Sequence, residues 1–370
     1  MNGKLTRRKF ITTAGTLAFA GTTHLATLDL FAQSESPPPL PEKIRVGIIG
    51  LDGHYSEITS AAKLLPNVRI TAIADPGAGV AQRAARNPFL ASAAIWTDYR
   101  AMLQAEKLDV VAVCGSSGTR ATIVKACANR GLPIVTEKPI ALSLSELAAV
   151  KKAIHRNSVP LSMLLTMRFA PQFQAMRNVV RSGQIGDVIA MDGQKSYQLG
   201  TRPDWMKARK SYGGTIPYIG IHLVDLMRWI SGREMIEAAA FHSQLGSPEI
   251  EEMENIAAVI FKLDNRGTAS LRMDYCRPAT AITHGDDRVR IVGTKGIIEY
   301  QEEQGLTLIT ENQKSSKLTE LPPAKLLFID FVESLYQGKP HLISAGDIFR
   351  ISEIVLKART AADEGRVIRL

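Results

Sequence analysis

The stretch GIIGLDGHYSEI, residues 47–58, joins a strand pattern to a helix pattern. Residues 44–49 form a short apolar run, which is typical of a strand buried on both faces. Gly50 follows this run at once, and residues 55–64 have a helical pattern. The stretch therefore predicts a strand, a tight glycine turn and a helix, which together begin a β-α-β unit.

The same alternation continues through the first half of the chain. Apolar runs that predict strands alternate with helical patterns, and the connecting loops are short. Strands joined in this way form a parallel sheet with helices on both faces, and ligands bind at the carboxyl ends of such strands. The further elements predicted here are strands at residues 68–74, 108–113 and 133–136 and a helix at residues 119–130.

Length and composition describe an ordinary globular protein. The chain has 370 residues, 45% hydrophobic and 22% charged, and two domains are expected at this length. The net charge of +9 falls to +6 without residues 1–32, which hold four basic residues and one acidic residue. The basic residues form no cluster, so no nucleic-acid partner is expected. Cys114, Cys127 and Cys276 form no CxxC pair, which argues against a disulfide framework and a zinc site.

The N-terminal region has the composition of a targeting segment followed by a linker. Arg7 and Arg8 precede a modestly apolar run rich in Gly and Thr, and Ala32 is a plausible last residue before cleavage. We predict a twin-arginine-type signal peptide at residues 1–32 and a proline-rich linker at residues 33–42. The protein would then be periplasmic or otherwise exported from a bacterium by the twin-arginine machinery. The alternative is a basic tail that contains an Arg-Arg pair by chance.

The turn after the first strand departs from the dinucleotide-binding fingerprint G-x-G-x-x-G. Gly50 occupies the first glycine position, but Asp52 and Tyr55 occupy the second and third. The second glycine normally lets the backbone approach a pyrophosphate, and the third lets helix and strand pack closely. A carboxylate about 4 Å from a phosphate charge is repelled by about 4 kcal/mol at an effective dielectric of about 20. Asp52 could instead cap the helix, with Gly53 making the close approach and His54 meeting the phosphates.

Asp75 ends the second predicted strand, 25 residues after Gly50. An acidic side chain at this point accepts hydrogen bonds from the adenosine ribose hydroxyls of NAD. No arginine follows at once in DPGAGVAQR, so the 2′-phosphate of NADP would lack a partner and NAD is the expected cofactor. The alternative is that Asp75 caps a helix at residues 77–83.

Five segments resemble, in order and spacing, the glucose–fructose oxidoreductase and inositol dehydrogenase (Gfo/Idh/MocA) family. They are TDYRAML (97–103), GLPIVTEKPIALSLSEL (131–147), MRFAPQFQAMRNVVRSGQIGDV (167–188), GGTIPYIGIHLVDLMRWISG (213–232) and RVRIVGTKGIIEY (288–300). The resemblance covers residues 43–370. It implies an α/β fold with an NAD-binding Rossmann-type doubly wound sheet at 43–160. An α+β domain with an open, mostly antiparallel sheet is implied at 161–340, carrying the substrate and a homo-oligomer contact.

The sequence after residue 188 fits this second domain. Runs that alternate or are apolar lie between Gly and Asp turns, as expected for strands. A C-terminal helix within residues 341–370 is expected to pack back on the first domain. The predicted elements are strands at 188–197, 236–243, 256–263, 268–275, 288–292 and 296–300 and a helix at 345–364.

The resemblance also transfers catalytic candidates. Lys138, in the Glu-Lys-Pro segment, matches a lysine that points at the substrate hydroxyl and acts as a positive charge or as a base with depressed pKa. His222 stands in the family's histidine position, whereas Tyr218 replaces an Asp four residues earlier. His222 would act as general base or acid, oriented by Asp225 or a backbone carbonyl, and Tyr218 would donate a hydrogen bond. The alternatives are a salt bridge of Lys138 with Glu137 or another acid, and a buried core role for His222.

Three further residues are candidates for substrate binding. Arg168 matches a family residue near the cleft, and Asp225 lies beside His222 in sequence. Trp205 could stack on a sugar ring or serve only for packing. The segment THGDDR, residues 283–288, is either a second polar cluster or a turn, and its spacing is not diagnostic of a metal, so no metal is predicted.

The end of the 108–113 strand is altered as well. Ser116 and Ser117 stand where the family has Pro-Asn, and Arg120 stands where it has His. Arg120 could compensate negative charge at the cofactor site. The complete set of candidate cofactor contacts is Gly50, Asp52, Gly53, His54, Asp75, Ser116 and Glu137.

Three functions remain open from the sequence. The first is an NAD-dependent oxidoreductase that transfers hydride at a CH–OH carbon of a sugar, polyol or sugar derivative. The second is an NAD-dependent glycosidase that oxidises its sugar transiently. The third is a non-catalytic sugar-binding or assembly module with a degraded cofactor site, for which Asp52 and Tyr55 are the evidence. An exported enzyme is expected to hold NAD tightly, because the periplasm has no dependable pool of soluble NAD.

Overall fold

The computed structural model describes residues 39–370. The predicted signal peptide at residues 1–32 lies outside the described residues, as does most of the linker predicted at residues 33–42. Within residues 39–370, no helix is both long and apolar enough to span a membrane.

Strands and helices alternate up to residue 163, and strands dominate after residue 188. The strands are β1 (Ile44–Ile49), β2 (Val68–Ala74), β3 (Ala94–Trp96), β4 (Val110–Val113), β5 (Ile134–Thr136), β6 (Leu161–Met163), β7 (Val188–Gln198), β8 (Met235–Ser243), β9 (Ile256–Leu263), β10 (Thr268–Arg277), β11 (Gly285–Gly293), β12 (Gly296–Gln301), β13 (Gly305–Thr310), β14 (Gln313–Lys317) and β15 (Ile368–Arg369). The α-helices are α1 (Ser56–Leu64), α2 (Val80–Ala85), α3 (Tyr99–Ala105), α4 (Ser117–Asn129), α5 (Leu144–Arg156), α6 (Pro171–Arg181), α7 (Asp204–Lys207), α8 (Arg209–Tyr212), α9 (Ile221–Ser231), α10 (Leu327–Gln337) and α11 (Ala345–Glu364).

The first sheet is parallel and has the strand order β3-β2-β1-β4-β5-β6. This is the Rossmann order, in which the direction of winding reverses between β1 and β4. The predicted doubly wound α/β sheet is confirmed. Because β6 pairs with β5, the sheet extends to Met163, past the boundary expected at residue 160.

The second sheet has nine strands in the order β14-β13-β12-β11-β7-β10-β9-β8-β15. Only β7 and β10 pair in parallel, so the sheet is mostly antiparallel, as predicted. Its inner face, which includes Met191 and Leu271, is buried, and α6 and α9 contact its strands. Phe241 on β8 and Ile260 on β9 lie on the opposite face and are 76% and 60% exposed.

Two C-terminal helices connect the second sheet to the first. Helix α10 contacts α1, and the Phe328 amide donates to the Glu57 carboxylate at 3.2 Å. Helix α11 contacts β8 and α9 and also α5 and β6. Arg359 on α11 donates from Nη1 to the carbonyls of Leu142 and Gly213, at 3.0 and 2.7 Å. The two sheets are therefore held in one compact unit by helix packing and by hydrogen bonds.

Two local predictions are corrected. The helix expected at residues 77–83 is α2, and its N-cap is Gly79, so Asp75 does not cap it. Residues 285–287 belong to β11 and do not form a turn before it, because Asp286 and Asp287 pair with Ser196 and Lys195 of β7.

Candidate active site

A crevice opens at the carboxyl ends of β1 and β4, where the winding of the first sheet reverses. Gly50 directly follows β1 with φ of +83°, and a Cβ added there would lie 2.3 Å from the Cα of Gly115. The two backbones are therefore in close contact, and a side chain at Gly50 would clash with the Gly115 backbone. The adjoining cavity of about 420 Å³ is lined by Gly50, Asp52, Asp75, Arg83, Arg100, Gly115, Ser116 and neighbouring residues.

Asp75 lies at the end of β2, as predicted, and lines the cavity. Its Oδ2 accepts from the Leu51 amide at 2.8 Å, and its Oδ1 accepts from the Gly77 amide at 2.7 Å. Sequence reasoning missed Arg83, whose Nη2 lies 3.6 Å from the Asp75 carboxylate, and Arg100, which lines the same cavity. The absence of an arginine next to Asp75 in sequence therefore does not mean an absence of positive charge in space.

Asp52 faces the same cavity and makes no cap on α1. Helix α1 has Tyr55 as its N-cap and no side-chain hydrogen bond there, so the capping role considered for Asp52 is not formed. Partial burial and the negative charge of Asp75 raise the pKa of Asp52, and the charge of Arg83 opposes them. The structure thus places a carboxylate among the groups that line the crevice.

Gly53 and His54 are directed toward Glu137. The Gly53 amide donates to the Cys114 carbonyl at 2.8 Å, and a Cβ on Gly53 would lie 2.6 Å from the Glu137 side chain. The His54 amide and Nδ1 both contact Glu137 Oε1. The Lys138 amide donates to Glu137 Oε2 at 3.1 Å. Gly53, His54 and Glu137 therefore join the first turn to the Glu-Lys-Pro segment, and none of the three lines the cavity.

Glu137 is a buried anion. Burial alone would raise its pKa, but the hydrogen bond from His54 and the charges of His54, Lys138 and Arg120 lower the pKa to about 2. The carboxylate is consequently ionised at any physiological pH. It supplies a fixed negative charge next to Lys138 without pairing with the Lys138 Nζ atom.

The β4 end is held by Arg120. Ser116 is the N-cap of α4, and its hydroxyl lies 3.4 Å from that of Thr119, toward the cavity. The buried Arg120 donates to the Gly115 carbonyl at 2.6 Å and to the Pro139 carbonyl at 2.7 Å. Arg120 thus fixes the crevice wall relative to the Glu-Lys-Pro segment.

The backbone geometry of the crevice is compatible with a bound dinucleotide. Gly50 and Gly115 let the ends of β1 and β4 approach each other closely at the switch point, where open α/β sheets bind ligands. Asp75 and Ser116 lie at the ends of the two strands that flank β1. Asp52 adds negative charge to the cavity lining and is unfavourable for a bound pyrophosphate.

Lys138 is buried, and its Nζ lies against Tyr218. It donates to the Tyr218 carbonyl at 2.9 Å and lies 3.7 Å from the centre of the Tyr218 ring. Burial lowers the pKa of Lys138 to about 7, reinforced by the charges of Arg120 and Lys195 and opposed by Glu137. Within residues 39–370, Lys138 forms no salt bridge, so the pairing with Glu137 considered from the sequence is not formed.

His222 is the second residue of α9. The helix follows a π-helical turn at Ile216–Gly220 that contains Tyr218. His222 is 8% exposed, and its Nδ1 has no hydrogen-bond partner within the described part of the chain. Neither Asp225 nor a backbone carbonyl orients the ring through that atom. Burial and the charges of Lys138 and Lys195 lower its pKa well below the ordinary value, so the ring is neutral.

Arg168 and Asp225 pair with each other. Arg168 Nη2 donates to Asp225 Oδ1 at 2.6 Å, and both side chains are 1% exposed. Arg168 Nη1 donates to the Leu342 carbonyl at 3.0 Å and contacts Asp347. The structure therefore uses both charged groups to hold α9 against the C-terminal segment and does not bring them together with Lys138.

Trp205 and Tyr218 form part of an aromatic wall. The two rings meet edge-on with centroids 6.0 Å apart, and Trp205 is half-buried. Burial, together with the charge of Glu137, raises the pKa of Tyr218 to about 12, so its phenol is a hydrogen-bond donor at neutral pH. Trp205 packs on Tyr218, which leaves its role as a sugar-stacking surface a prediction.

Sequence reasoning missed Lys195 and Arg202. Lys195 is buried on the inner face of β7, and its Nζ donates to Asp287 at 2.6 Å. Arg202 follows β7 and lies over the Tyr275 ring. Lys195 lies within the strand predicted at residues 188–197. A charged residue inside a predicted strand was the available signal for it. Among residues 39–370, no group of three or more His, Cys, Asp or Glu is arranged to hold a metal ion.

Comparisons with known proteins match both parts of the fold. Residues 44–164 match the family described as "Oxidoreductase family, NAD-binding Rossmann fold", and residues 173–299 match "GFO/IDH/MocA C-terminal domain". A solved structure described as "putative oxidoreductase from Thermotoga maritima" is 31% identical, with a TM-score of 0.83 over 88% of this chain and 100% of that chain. Myo-inositol 2-dehydrogenase of Thermotoga maritima is 23% identical over 88% of this chain and 98% of that protein.

A more distant structure has the same fold with a cofactor present. GenD2 from gentamicin A biosynthesis, solved in complex with NAD, is 18% identical, with a TM-score of 0.75 over 90% of this chain and 98% of that chain. The Rossmann strand order and the glycine crevice agree with the first family match, and the mostly antiparallel sheet agrees with the second. The chain therefore belongs to the Gfo/Idh/MocA family of oxidoreductases and has its NAD-binding Rossmann domain.

Proposed function

We propose that the protein oxidises a CH–OH carbon of a sugar, polyol or sugar derivative with NAD as the hydride acceptor. The environment of Lys138 is the main observation that supports this proposal. Lys138 is a buried lysine without a salt bridge in the described part of the chain, and its pKa of about 7, lowered by burial, lets it accept a proton near neutral pH. The similarity to myo-inositol 2-dehydrogenase supports this class of substrate.

The residues of the chain handle the proton in this proposal. Bound NAD supplies the hydride acceptor. Neutral Lys138 accepts the proton of the substrate hydroxyl at Nζ, and the Tyr218 carbonyl, 2.9 Å away, holds the amine in position. His222 is neutral, and its ring supplies a hydrogen bond to the same hydroxyl or its neighbour in this proposal.

We infer that the cofactor is NAD and not NADP, and that it is tightly bound. Asp75 would accept bonds from ribose hydroxyls and repel a 2′-phosphate. Arg83, 3.6 Å from Asp75, works against this selectivity by offering positive charge. We expect NAD to bind at least about tenfold more tightly than NADP, a difference of about 1.4 kcal/mol. Calorimetric titration with each nucleotide measures it, and equal affinities would contradict the assignment.

Two alternatives use the same fold. An NAD-dependent glycosidase would need the same proton-handling groups, because its chemistry starts with oxidation of the sugar. A non-catalytic sugar-binding module is favoured by one observation, the Asp52 carboxylate in the cavity lining. Both alternatives predict no net formation of NADH from a free sugar.

One experiment separates the three functions. Purified protein is incubated with NAD and a panel of sugars, polyols and their glycosides, and both NADH and the sugar products are measured. The oxidoreductase predicts NADH in equal amount to oxidised product. Free sugar released from a glycoside without net NADH would identify the glycosidase. Sugar binding by calorimetry without either product would identify the binding module.

We also propose export by the twin-arginine route and assembly into a homo-oligomer. Arg7 and Arg8 support the export proposal. Replacing both by lysine should keep the protein in the cytoplasm of the expressing bacterium, as measured by cell fractionation, whereas unchanged export would contradict it. The open face of the second sheet, with Phe241 and Ile260 exposed, supports the oligomer.

A further inference from the structure

Arg202 is a cation with unused donors at the candidate active site. Its Nη2 donates to the Gln198 carbonyl at 2.8 Å, and its Nε is buried and has no partner in the described part of the chain. The guanidinium carbon lies 4.5 Å from the centre of the Tyr275 ring, which holds it over that aromatic face. Within residues 39–370, Arg202 forms no salt bridge. The unused N–H donors of a partly buried arginine favour an anionic acceptor.

Arg202 and Lys138 are on one aromatic wall. The Tyr275 hydroxyl lies 3.2 Å from that of Tyr212, and the Tyr212 ring lies 5.0 Å from the Tyr218 ring. The Tyr218 ring in turn lies 3.7 Å from Lys138 Nζ. Three contiguous tyrosines thus connect Arg202 to the Lys138 amine. Tyr212 and Tyr275 are themselves buried, and Lys138 and Arg202 lie at the two ends of this row of rings.

The two carboxylates near the wall each contact another group. Asp287 Oδ2 accepts from Lys195 at 2.6 Å, whereas its buried Oδ1 has no partner in the described residues, and Glu137 accepts from His54 and from a backbone amide. The Nη atoms of Arg120 donate to two carbonyl oxygens and a hydroxyl. Arg120 and Arg202 therefore form no salt bridge among residues 39–370, and Lys138 adds a further positive charge when it is protonated. Because buried charges are costly unless they are paired, an excess of cations around a binding site favours an anionic ligand.

We propose that the substrate is an anionic sugar or polyol derivative whose charged group binds Arg202 while its reacting hydroxyl faces Lys138. This inference rests on the proposed oxidoreductase function and specifies its substrate class. The carboxylate of a sugar acid matches the planar, two-donor geometry of a guanidinium. A sugar phosphate offers the same type of acceptor, and the affinities of the acid and the phosphate distinguish the two.

Calorimetry on the full-length, NAD-loaded protein tests this directly. The probes are D-glucuronate and D-galacturonate, the matched neutral sugars D-glucose and D-galactose, and D-glucose 6-phosphate. We expect at least one acid to bind at least about tenfold more tightly than its neutral counterpart. Arg202→Gln should remove most of that preference, and Arg202→Lys should retain part of it. Lys210→Gln, an exposed cation on the same segment, is the control and should leave the preference unchanged.

The binding measurements test the anionic substrate, and the formation of NADH tests the proposed function. Tighter binding of the hexose phosphate than of the uronates, lost in Arg202→Gln, would support the inference with phosphate as the anionic group. Acids that bind no better than neutral sugars, or not at all, would overturn it, as would an unchanged preference in folded Arg202→Gln protein. NADH formation from neutral sugars alone would retain the proposed function and reject the anionic substrate. Selective acid binding without NADH would do the reverse.

Discussion

At the scale of single residues, Lys138 owes its chemistry to its surroundings. Burial lowers its pKa, and the nearby cations Arg120 and Lys195 add to that effect. Glu137 opposes them, but its carboxylate is turned to His54 and to the backbone. The result is an amine that is poised near neutral pH and held by the Tyr218 carbonyl. Its role is accessible to mutation because it does not carry a salt bridge in the described structure.

Lys138→Met should abolish proton acceptance and leave the nucleotide site intact. We expect a loss of about 10²- to 10⁴-fold in kcat, the usual contribution of a general base. Initial rates of NADH formation measure the loss, and calorimetry should give an unchanged NAD affinity. Lys152→Met, an exposed lysine on α5, is the control and should behave as the wild type. Wild-type rates in Lys138→Met would remove Lys138 from the mechanism.

The pH dependence of the reaction should follow the same lysine. Protonated Lys138 cannot accept a proton, and its pKa is lowered by burial to about 7. The value of kcat/KM for oxidation should therefore rise as pH increases through about 7 and then level off. A pH–rate profile measures this rise. A profile that is flat between pH about 6 and about 8.5 would assign the base to another group.

Asp52 should weaken cofactor binding through its charge. Asp52→Asn keeps the shape of the side chain and should tighten NAD about fivefold, equal to about 1 kcal/mol for a partly solvated pair of charges. Because burial and Asp75 raise the pKa of Asp52, the wild-type affinity should also improve as pH falls toward that pKa, and the variant should lack this change. Titration of NAD at several pH values measures both effects, with Asp264→Asn, in an exposed turn, as control. Equal affinity in the variant would show that Asp52 does not repel the phosphates.

At the scale of elements, the contact between the β1 and β4 ends shapes the crevice. Gly50→Ala meets a positive φ, which costs about 1–2 kcal/mol, and a backbone clash with Gly115, which costs about 1–3 kcal/mol more. Gly131→Ala is the matched control, because its φ is +69° but no atom lies within 4 Å of the added Cβ. Denaturant unfolding should show the larger loss of stability for Gly50→Ala, together with loss of NAD binding. Equal losses would indicate that the two strand ends are not in contact.

At the scale of the whole molecule, the open face of the second sheet is the proposed oligomer contact. Phe241 is 76% exposed on the sheet, whereas Ile282 is 95% exposed on the loop between β10 and β11. Phe241→Glu should shift the protein to a smaller species in light scattering coupled to size exclusion, because it places a charge in the apolar contact. Ile282→Glu should leave the mass unchanged. A wild-type monomer would contradict the proposal.

The sequence predicts the bounds of a strand or helix well where a single continuous segment carries the apolar pattern. The bounds of β1, β2, β9 and α11 agree with the predicted ranges, because continuous or alternating apolar runs report burial directly. Contacts between distant residues are not encoded in such runs. Arg168 and Asp225 are 57 residues apart and were expected at the cleft, yet they bury their charges on each other. Arg202 near Lys138 depends on the same long-range packing, whereas Arg83 reaches Asp75 from the next helix, α2.

Retention of NAD tests the central claim most directly, since the altered turn at Asp52 and Tyr55 is the main argument against it. The purified protein is incubated with NAD, passed quickly through a desalting column and denatured, and the released nucleotide is quantified by mass spectrometry. We predict about one NAD per chain, as expected for tight binding at a single switch-point crevice. Protein that releases no NAD would contradict the account and would favour a sugar-binding module that has kept the fold without the cofactor.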